Sequence, residues 1–374
     1  MKIAIFTDSF LPGIGGTENA VLRLAKELSH SHEVKVFAPS YHREYEEKTP
    51  LPFSVIRSKS IGFGNDFWSM PALTKKIKKE LDTFTPDVIH TCTLGTMAKY
   101  ANTYGKKHSI PVACTVHTKY AYCYKQVFKL NFIVKLMCAH FVKRAQRADV
   151  LTTVSDSMIP ELQSYGLKDK SVLVIRNGHE SSQFVDIEVK KENRFTLLFV
   201  GLLSNFKNLS FSFRALAELK KRNRDFVFYV VGQGPQEKKF KRQVKKLGLA
   251  DNVVMTGAIR DRGKLNEIYA KSDLFLFTSI FDNDPLVVLE AGECGVPTLA
   301  IAHTGSSERI TPDVSGFVAP YSEKGVADKI EQLMDDEELL KRVSQNSATM
   351  SITWEDIAKR YVEAYENAID MKRK

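Results

Sequence analysis

The chain has 374 residues, a hydrophobic fraction of 43%, a charged fraction of 26% and a net charge of +10. This length suits two domains of about 150 to 200 residues each, and the composition excludes a disordered chain as the default. The positive charge is uneven, because residues 1–180 carry about +9 and the remainder about +1. We therefore expect the first half to face anionic lipid or a phosphorylated substrate. Nucleic acid is not expected as a partner, because no aromatic RNA-recognition motif accompanies the charge.

The N-terminal residues carry no sign of a secretory leader. Residue 2 already begins an apolar strand, with no charged segment or cleavage site before it. No uninterrupted apolar run reaches the roughly 18 residues that a spanning helix needs, so any membrane contact is expected to be peripheral. The five cysteines show no CxxC spacing and no paired metal pattern, which is typical of reduced thiols in a cytoplasm.

Apolar runs and helical patterns alternate along both halves of the chain. The first half contains predicted strands at 2–6, 33–38, 87–91 and 111–117, with helices at 17–28 and 73–84. The second half contains predicted strands at 195–201, 226–232, 253–257, 274–278 and 296–302, with helices at 208–221, 235–247 and 285–294. Such a repeat gives a parallel sheet covered by helices on both faces. The sequence therefore predicts two Rossmann-like α/β domains that face a cleft, with ligands outside the carboxyl ends of the strands.

A polar, aperiodic stretch at 180–194 separates the two halves. We place the first domain at 1–185 and the second at 186–351. The final segment, 352–374, has the pattern of an amphipathic helix with no strand after it. We expect this helix to pack across the domain junction.

Glycines follow the first predicted strand. Gly13, Gly15 and Gly16 precede a helix for which Thr17 is a plausible N-cap. Glycine lets backbone N–H groups approach a ligand, and a helix N-terminus favours negative charge, so a phosphate fits here. The same turn is also an ordinary structural device, and Glu18 occupies the place of the third glycine of the dinucleotide fingerprint.

The strand ends of the second half carry similar signals. Gly201 ends a strand, and Lys207 lies in the loop that follows, from which a lysine can reach a phosphate as a point charge. A solvated loop lysine is the alternative. Gly232 and Gly234 lie at the next strand end, before a proline suited to a first helical turn. Glycines at successive strand ends indicate a ligand lying along the rim of the sheet.

Residues 278–297 read TSIFDNDPLVVLEAGECGVP. Asp284 has N-cap chemistry and Pro285 fits the first helical position, so Asp282 falls in the loop and Glu290 in the second turn of the helix. Backbone N–H groups at the helix start then form an anion site. Glu290 can accept two hydrogen bonds from a ribose, and Asp282 can reach a sugar beyond the diphosphate. Alternatively, Glu290 pairs with a nearby cation and Asp282 is merely solvated.

At these residues the chain resembles the retaining nucleotide-sugar glycosyltransferases of two-domain GT-B architecture, which are known for an E-x7-E motif. Here the motif reads Asp282-x7-Glu290. Ordered matches extend along almost the whole chain. They are the GG pair at 15–16, CTVHTKY at 114–120, ADVLTTVSDSM at 148–158, VIRNG at 174–178, VGLLSNFKN at 200–208, VVGQGP at 230–235, LGLADNVVMTG at 247–257 and EAGECGVP at 290–297.

The resemblance implies that the first domain, 1–185, binds the acceptor and that the second, 186–351, binds the nucleotide sugar. It also implies roles for individual residues. The donor-binding set is then Gly15, Gly16, Gly201, Lys207, Gly234, Pro285, Leu286 and Glu290. Within it, Glu290 would hold the ribose. The catalytic set is His117, Lys207 and Asp282, of which Asp282 would contact the transferred sugar and His117 corresponds to the family's active-site histidine. No metal cofactor is implied, because lysine and helix ends neutralise the diphosphate.

Three departures from the family pattern stand out. The family usually has arginine directly after the glycine that matches Gly201, whereas this chain has Leu202. Asp282 is one methylene shorter than the usual glutamate. The glycine that usually follows is replaced by Asn283-Asp284-Pro285, and Asp284 would repel a diphosphate unless capping holds its carboxylate away. These changes leave weak activity, an unusual donor or a non-catalytic relative open.

Within the family, VHTKYAYCY at 116–124 resembles bacterial 1,2-diacylglycerol 3-glucosyltransferases, which work at the cytoplasmic membrane surface. Residues 125–147 fit a helix lying on anionic lipid. The apolar residues at helical spacing are Phe128, Phe132, Ile133, Leu136, Met137 and Phe141, and the basic ones are Lys125, Lys129, Lys135, Lys143, Arg144 and Arg147. The alternative is that the apolar stripe packs into its own domain's core.

The sequence thus predicts an α-retaining transfer of a sugar from a nucleotide sugar, with glucose from UDP-glucose as the leading donor. The predicted acceptor is a lipid hydroxyl such as that of diacylglycerol, reached by a cytoplasmic protein peripheral on the inner face of the plasma membrane. Three alternatives remain: a polysaccharide or protein acceptor, a non-catalytic partner subunit, and a nucleotide-sugar epimerase of the same architecture. Transfer is favoured because an epimerase needs no lipid-facing basic helix.

Overall fold

A computed structural model describes the chain except for residues 14, 41–49, 64–65, 71–73, 129, 180–188, 190, 351 and 374. The chain divides into two compact units. The first consists of Met1–Asn177 together with Trp354–Lys374, and the second of Gly178–Thr353. The predicted boundary at residue 185 lies outside the described residues.

The first unit is built on a parallel sheet of seven strands in the order β3-β2-β1-β6-β7-β8-β9. Its strands are β1 Lys2–Phe6, β2 Glu33–Pro39, β3 Ser54–Ser58, β6 Val88–Thr91, β7 Val112–Val116, β8 Val150–Thr153 and β9 Val172–Val174, and β4 Ser60–Phe63 with β5 Asp66–Ser69 forms a separate antiparallel hairpin. The continuous apolar run of β1 is buried from Ile3 to Phe6, because helices cover both faces of the sheet. The helices are α1 Gly16–Leu28, α2 Lys75–Phe84, α3 Thr96–His108, α4 Tyr120–Val127, α5 Asn131–Gln146 and α6 Met158–Ser164.

The second unit contains a parallel sheet of six strands in the order β12-β11-β10-β13-β14-β15. Its strands are β10 Phe195–Val200, β11 Phe226–Val231, β12 Val253–Gly257, β13 Leu274–Phe277, β14 Thr298–Ile301 and β15 Phe317–Ala319. Its helices are α7 Leu209–Lys221, α8 Glu237–Lys246, α9 Arg262–Lys271, α10 Leu286–Glu293, α11 Glu323–Asp335 and α12 Glu337–Asn346, with short 3-10 turns at Asn205–Lys207, Gly305–Ser307 and Ser347–Met350. In both units the strand order reverses beside the first strand. The two Rossmann-like sheets predicted from the sequence are therefore confirmed.

The C-terminal helix α13, Trp354–Arg373, belongs to the first unit. Its Tyr365 is fully buried, with the hydroxyl 2.8 Å from His90 Nδ1 on β6, while His90 Nε2 lies 2.7 Å from Thr115 Oγ1 on β7. At the far end of the helix, Lys372 Nζ lies 3.0 Å from a carboxylate oxygen of Asp149. The helix thus completes the core of the first unit. Its reach across the domain junction stays a prediction.

The buried His90 makes the stability of the first unit dependent on pH. Burial, and then the nearby His117, lowers the pKa of His90 from 6.5 to about 3. The unfolded chain therefore binds a proton that the folded unit rejects, so the contribution of His90 to stability is constant above about pH 6.5 and is lost as the pH falls towards 3. The loss from His90 is about 1 to 2 kcal/mol at pH 5. Both tryptophans, Trp68 and Trp354, lie in the first unit, so fluorescence-monitored unfolding reports this loss.

A His90→Gln variant provides the comparison, since glutamine keeps hydrogen-bonding groups without titrating. We expect its unfolding free energy to fall less between pH 7 and pH 5 than that of the wild type. The exposed His108→Gln change on α3 should leave the wild-type slope intact. Equal slopes for wild type and His90→Gln would contradict this account.

Candidate functional site

The candidate site lies where the strand order of the second sheet reverses, between β10 and β13. These two strands are parallel neighbours, so the segments that follow them emerge at the same edge of the sheet. One is the connection from Gly201 to Asn208, and the other is the loop 278–285 that leads into α10. Ligands of open α/β sheets bind at this position.

An ion pair joins the two segments. Lys207 Nζ lies 2.6 Å from Asp282 Oδ1, and both side chains are about four-fifths buried. The lysine stem passes over Gly201, because a Cβ placed on Gly201 would lie 3.8 Å from Lys207 Cε. The ammonium group also sits 5.5 Å from the centroid of the Phe277 ring. A lysine and a carboxylate are thus held together where the sequence predicts a phosphate and a sugar.

The loop before α10 is held by hydrogen bonds to its neighbours. Ser279 Oγ accepts from the backbone N–H groups of Phe281, at 3.3 Å, and Asp282, at 3.4 Å, and donates to the carbonyl oxygen of Phe206 at 3.0 Å. Asn208, in the left-handed region at φ 56°, donates through Nδ2 to the carbonyl oxygen of Thr278 at 3.1 Å. The loop that carries Asp282 is therefore fixed to the segment that carries Lys207.

The start of α10 differs by one residue from the prediction. Pro285 is the N-cap and Leu286 the first helical residue, whereas the sequence predicts Asp284 as the N-cap. Arg309 binds both oxygens of the Asp284 carboxylate, with Nε to Oδ1 at 2.5 Å and Nη2 to Oδ2 at 2.7 Å. Glu290 lies in the second turn of α10, as predicted.

Glu290 faces an arginine and a tyrosine. One carboxylate oxygen lies 3.6 Å from Arg262 Nη1 at the start of α9, and the Glu290 side chain is 13% exposed. Tyr269 is fully buried nearby, and burial together with the Glu290 charge raises the pKa of its hydroxyl. A carboxylate of this kind can accept hydrogen bonds from a diol at the edge of the site.

Gly234 has a packing role in this structure. A Cβ on Gly234 would lie 2.5 Å from the carbonyl oxygen of Leu203, so only glycine lets the two loops approach. Leu203 in turn donates its N–H to Gln233 O and accepts from the N–H of Gln236, both at 3.0 Å. Gly234 thus fixes the rim of the sheet beside Gly201, and its contact with a ligand stays a prediction.

In the first unit, the glycine turn leads directly into α1. Gly15 is the N-cap and Gly16 the first helical residue, so the predicted cap at Thr17 is wrong. The helix begins at Gly16, one residue before the predicted start at residue 17. A Cβ on Gly16 would meet no described atom within 4 Å, so the helix start is open on that side.

His117 directly follows β7 at the carboxyl edge of the first sheet. Burial lowers the pKa of His117 from 6.5 to about 4, so its imidazole is neutral at pH 7. A neutral imidazole can donate one hydrogen bond and accept another. It adds no positive charge to its surroundings.

Helix α5 has one face in the core and one in solvent. The core face consists of Val134, Cys138, Val142 and Ala145. Phe132 and Leu136 point outward and are each 69% exposed, the highest values among the large hydrophobic side chains described, and the adjacent Leu130 is 55% exposed. Lys125, Lys135, Lys143 and Arg147 are exposed as well.

Two parts of the predicted lipid face are wrong. Phe128, Ile133, Met137 and Phe141 are partly buried, and Phe141 stacks on Tyr120 at a centroid distance of 5.4 Å. Arg144 turns inward: it lies 4.8 Å from the Phe141 ring and donates from Nη1 to the carbonyl oxygen of Gly95 at 2.6 Å. Lys129 lies outside the described residues.

The structure therefore brings the predicted residues together in two groups. The second unit holds Gly201, Lys207, Gly234, Asp282, Pro285, Leu286 and Glu290, and the first unit holds Gly15, Gly16 and His117. Arg262, which contacts Glu290, and Arg309, which contacts Asp284, were missed because neither lies in a motif. Among the described residues, no group of three or more His, Cys, Asp or Glu side chains is arranged to hold a metal ion. The part of the chain that the structure describes contains no helix long and apolar enough to span a bilayer.

Family models match nearly the entire chain. Residues 14–183 match the model described as Glycosyltransferase Family 4, and residues 181–350 match Glycosyl transferases group 1. A Rossmann-like fold in each half, with these two matches in order, defines a GT-B glycosyltransferase. The chain belongs to this glycosyltransferase family and is an enzyme of that class.

Two relatives with assigned activities cover almost all of the chain. An alpha-monoglucosyldiacylglycerol synthase of Streptococcus pneumoniae is 26% identical over 99% of this chain and 86% of its own length. A GDP-mannose-dependent alpha-mannosyltransferase of Corynebacterium glutamicum is 26% identical over 97% of this chain and 86% of its own. Among solved structures, Anabaena Alr3699/HepE in complex with UDP-glucose has a TM-score of 0.78 at 19% identity, covering 98% of this chain and 99% of that one.

Proposed function

We propose that the chain transfers a sugar with retention of α configuration from a nucleoside diphosphate sugar, with UDP-glucose as the leading donor. The proposed acceptor is a lipid hydroxyl such as that of diacylglycerol. The observation that carries the proposal is the grouping of Lys207, Asp282 and Glu290 around the start of α10. The relative that makes monoglucosyldiacylglycerol and the neighbour solved with UDP-glucose support the acceptor and the donor.

The donor would bind along the rim of the second sheet. Lys207 and the backbone N–H groups at the start of α10 would take the diphosphate, since a helix N-terminus and an ammonium group both favour negative charge. Glu290 would accept the ribose hydroxyls. These groups supply the charge neutralisation that a divalent ion supplies in other transferases, so we propose that no metal is required.

Transfer would proceed by front-face attack. The bond between the sugar C1 and the β-phosphate oxygen breaks, a bond forms between C1 and the acceptor oxygen on the same face, and the acceptor proton passes to the departing phosphate. Lys207 would stabilise the negative charge that develops on the leaving diphosphate. Asp282, held beside Lys207, would accept a hydrogen bond from the sugar. Neutral His117 would contribute a hydrogen bond near the reaction centre without adding charge.

Helix α5 is the proposed contact with the membrane. Its outward face combines the exposed Leu130, Phe132 and Leu136 with the exposed Lys135 and Lys143. Apolar side chains would enter the interface between head groups and acyl chains, and each lysine near anionic lipid would contribute about 1 kcal/mol. The proposed partner of this face is an anionic lipid surface, the inner face of the plasma membrane, where the enzyme would lie beside its lipid acceptor.

We expect the double change Phe132→Ser and Leu136→Ser to weaken partitioning onto vesicles containing phosphatidylglycerol by about 10- to 100-fold, because two apolar side chains no longer enter the interface. Co-sedimentation measures the partitioning. Leu173→Ser, which removes another exposed apolar side chain from the first unit, is the matched control and should leave it unchanged. If the double variant binds vesicles like the wild type, α5 is not the membrane contact.

The direct test of the function is an assay of nucleotide release with UDP-sugars and diacylglycerol in anionic vesicles. We expect UDP release that depends on the lipid, and an α-linked glycolipid identified by NMR. A sugar that changes while still attached to UDP, without acceptor, would instead mean isomerisation. Absence of turnover with every common nucleotide sugar would overturn the proposal.

A further inference from the structure

We propose that Arg309 is a positioning residue for the donor diphosphate, which acts by neutralising Asp284 at the start of α10. This inference rests on the proposed function of the site. It assigns a role to a residue outside every motif in the sequence, and it explains how the chain accommodates an acidic residue next to a predicted diphosphate.

The Arg309–Asp284 pair is the most deeply buried ion pair of the site. The Asp284 side chain is 1% exposed and that of Arg309 is 6% exposed. The guanidinium group binds both carboxylate oxygens, and Nη1 also donates to the carbonyl oxygen of Met350 at 3.3 Å. A bidentate ion pair of this kind fixes the orientation of the carboxylate and also neutralises its charge.

The backbone around the Arg309–Asp284 pair is also tightly packed. A Cβ on Gly305 would lie 2.6 Å from Asn283 Cα and 2.7 Å from the carbonyl oxygen of Asp282, so only glycine fits beneath the loop. The 3-10 turn that begins at Gly305 leads directly to Arg309. The turn after β14 therefore packs against the loop after β13, and Arg309, which follows this turn, contacts that loop.

Asp284 lies next to the proposed diphosphate site, so its charge affects the binding of the diphosphate. Asp284 precedes the N-cap Pro285 by one residue, so its charge stands beside the helix start at which the diphosphate would bind. An uncompensated carboxylate there would offset the positive potential of the helix N-terminus and repel the phosphates. The arginine that the family pattern places after Gly201 is absent, because Leu202 stands there. Diphosphate binding at this site therefore depends on neutralising the carboxylates of Asp282 and Asp284.

Acidic residues of the loop are thus neutralised from two sides. Lys207 pairs with Asp282 in the segment after β10, and Arg309 pairs with Asp284 in the segment after β14. The two cations differ in exposure, since Lys207 is 20% exposed and Arg309 is 6% exposed. Lys207 is therefore placed to exchange its partner for a phosphate, whereas Arg309 stays with Asp284.

The test compares UDP with uridine, because only UDP carries the charges that Asp284 would repel. Affinities are measured by calorimetry on the full chain for wild type, Arg309→Met, Asp284→Asn and the double variant. We expect Arg309→Met to weaken UDP binding by at least about tenfold while uridine binding changes by less than about twofold. Asp284→Asn in the Arg309→Met background should restore most of the UDP affinity.

Asp284→Asn alone keeps the proposal falsifiable if Arg309→Met does not fold. It leaves the arginine charge uncompensated beside the diphosphate, so we expect UDP affinity equal to or above that of the wild type. Weaker UDP binding by Asp284→Asn, or equal losses of UDP and uridine affinity in Arg309→Met, would overturn the inference. So would wild-type UDP affinity in a folded Arg309→Met. These results leave the proposed function intact, whereas a wild type that binds no nucleotide sugar contradicts the function itself.

Discussion

Replacement of Lys207 by methionine should weaken UDP binding by about 100- to 1,000-fold. Two effects combine. The diphosphate loses its charged partner, and Asp282, which lies 2.6 Å from Lys207 Nζ in the structure, keeps a carboxylate with no countercharge facing the phosphates. Methionine preserves the apolar stem over Gly201 and Phe277, so the packing of the loop should survive. Calorimetric titration with UDP measures the change.

The double variant Lys207→Met with Asp282→Asn separates these effects. We expect it to recover about tenfold of the lost affinity, because the repulsion disappears while the missing contact does not. Lys221→Met is the matched control, since Lys221 is exposed at the far end of α7 and pairs with Glu218. UDP affinity of Lys207→Met within twofold of the wild type would remove Lys207 from the donor site.

Replacement of Glu290 by glutamine should weaken UDP binding by about 10- to 100-fold, which corresponds to hydrogen bonds between ribose hydroxyls and a charged acceptor. The loss should be specific to the ribose. Wild type is expected to bind UDP more tightly than its 2′-deoxy and 3′-deoxy analogues, and Glu290→Gln is expected to discriminate much less between them. Competition against a fluorescent nucleotide gives all of these affinities.

Arg262 loses its ion pair with Glu290 in the same variant, so thermal unfolding must accompany the binding data. Glu267→Gln, at an exposed position on α9, is the control and should leave both readouts unchanged. If Glu290→Gln retains full discrimination between UDP and its deoxy analogues, Glu290 is not the ribose acceptor.

The sequence predicts the parts of the fold that carry a local signal. The strand Lys2–Phe6 and the strand Val253–Gly257 have the predicted bounds, because buried parallel strands are continuous apolar runs. Short edge strands such as Val172–Val174 and Phe317–Ala319 were missed, since three residues give no periodicity. Glu290 was placed correctly because Pro285 marks the start of its helix.

The missed features of the site depend on contacts between distant parts of the chain. Asp284 and Arg309 are 25 residues apart, and Lys207 and Asp282 are 75 apart. No pattern within a single segment encodes either pair. Sequence reasoning identified Asp284 as a problem for a bound diphosphate, but only the coordinates show that an arginine from the next turn neutralises it.

For helix α5 as well, the surface predicted from the sequence pattern differs from the surface that packing leaves exposed. Periodicity indicates that apolar residues share a face, but it does not tell which face the rest of the domain covers. The structure buries Val134 and Cys138 and leaves Phe132 and Leu136 outside, and it turns Arg144 towards Gly95. The exposed face proposed to contact lipid is therefore narrower than the sequence predicts, while Phe132 and Leu136 on it remain exposed.

The central claim is that the second unit holds a nucleoside diphosphate at the start of α10 through Lys207 and Glu290, without a metal ion. A crystal structure of the full chain with UDP in the presence of EDTA tests it most directly. The account predicts a phosphate oxygen within hydrogen-bond distance of Lys207 Nζ, phosphates facing the backbone at Leu286, and ribose hydroxyls on Glu290. A diphosphate bound elsewhere, or one that appears only when a divalent metal ion is added, would contradict it.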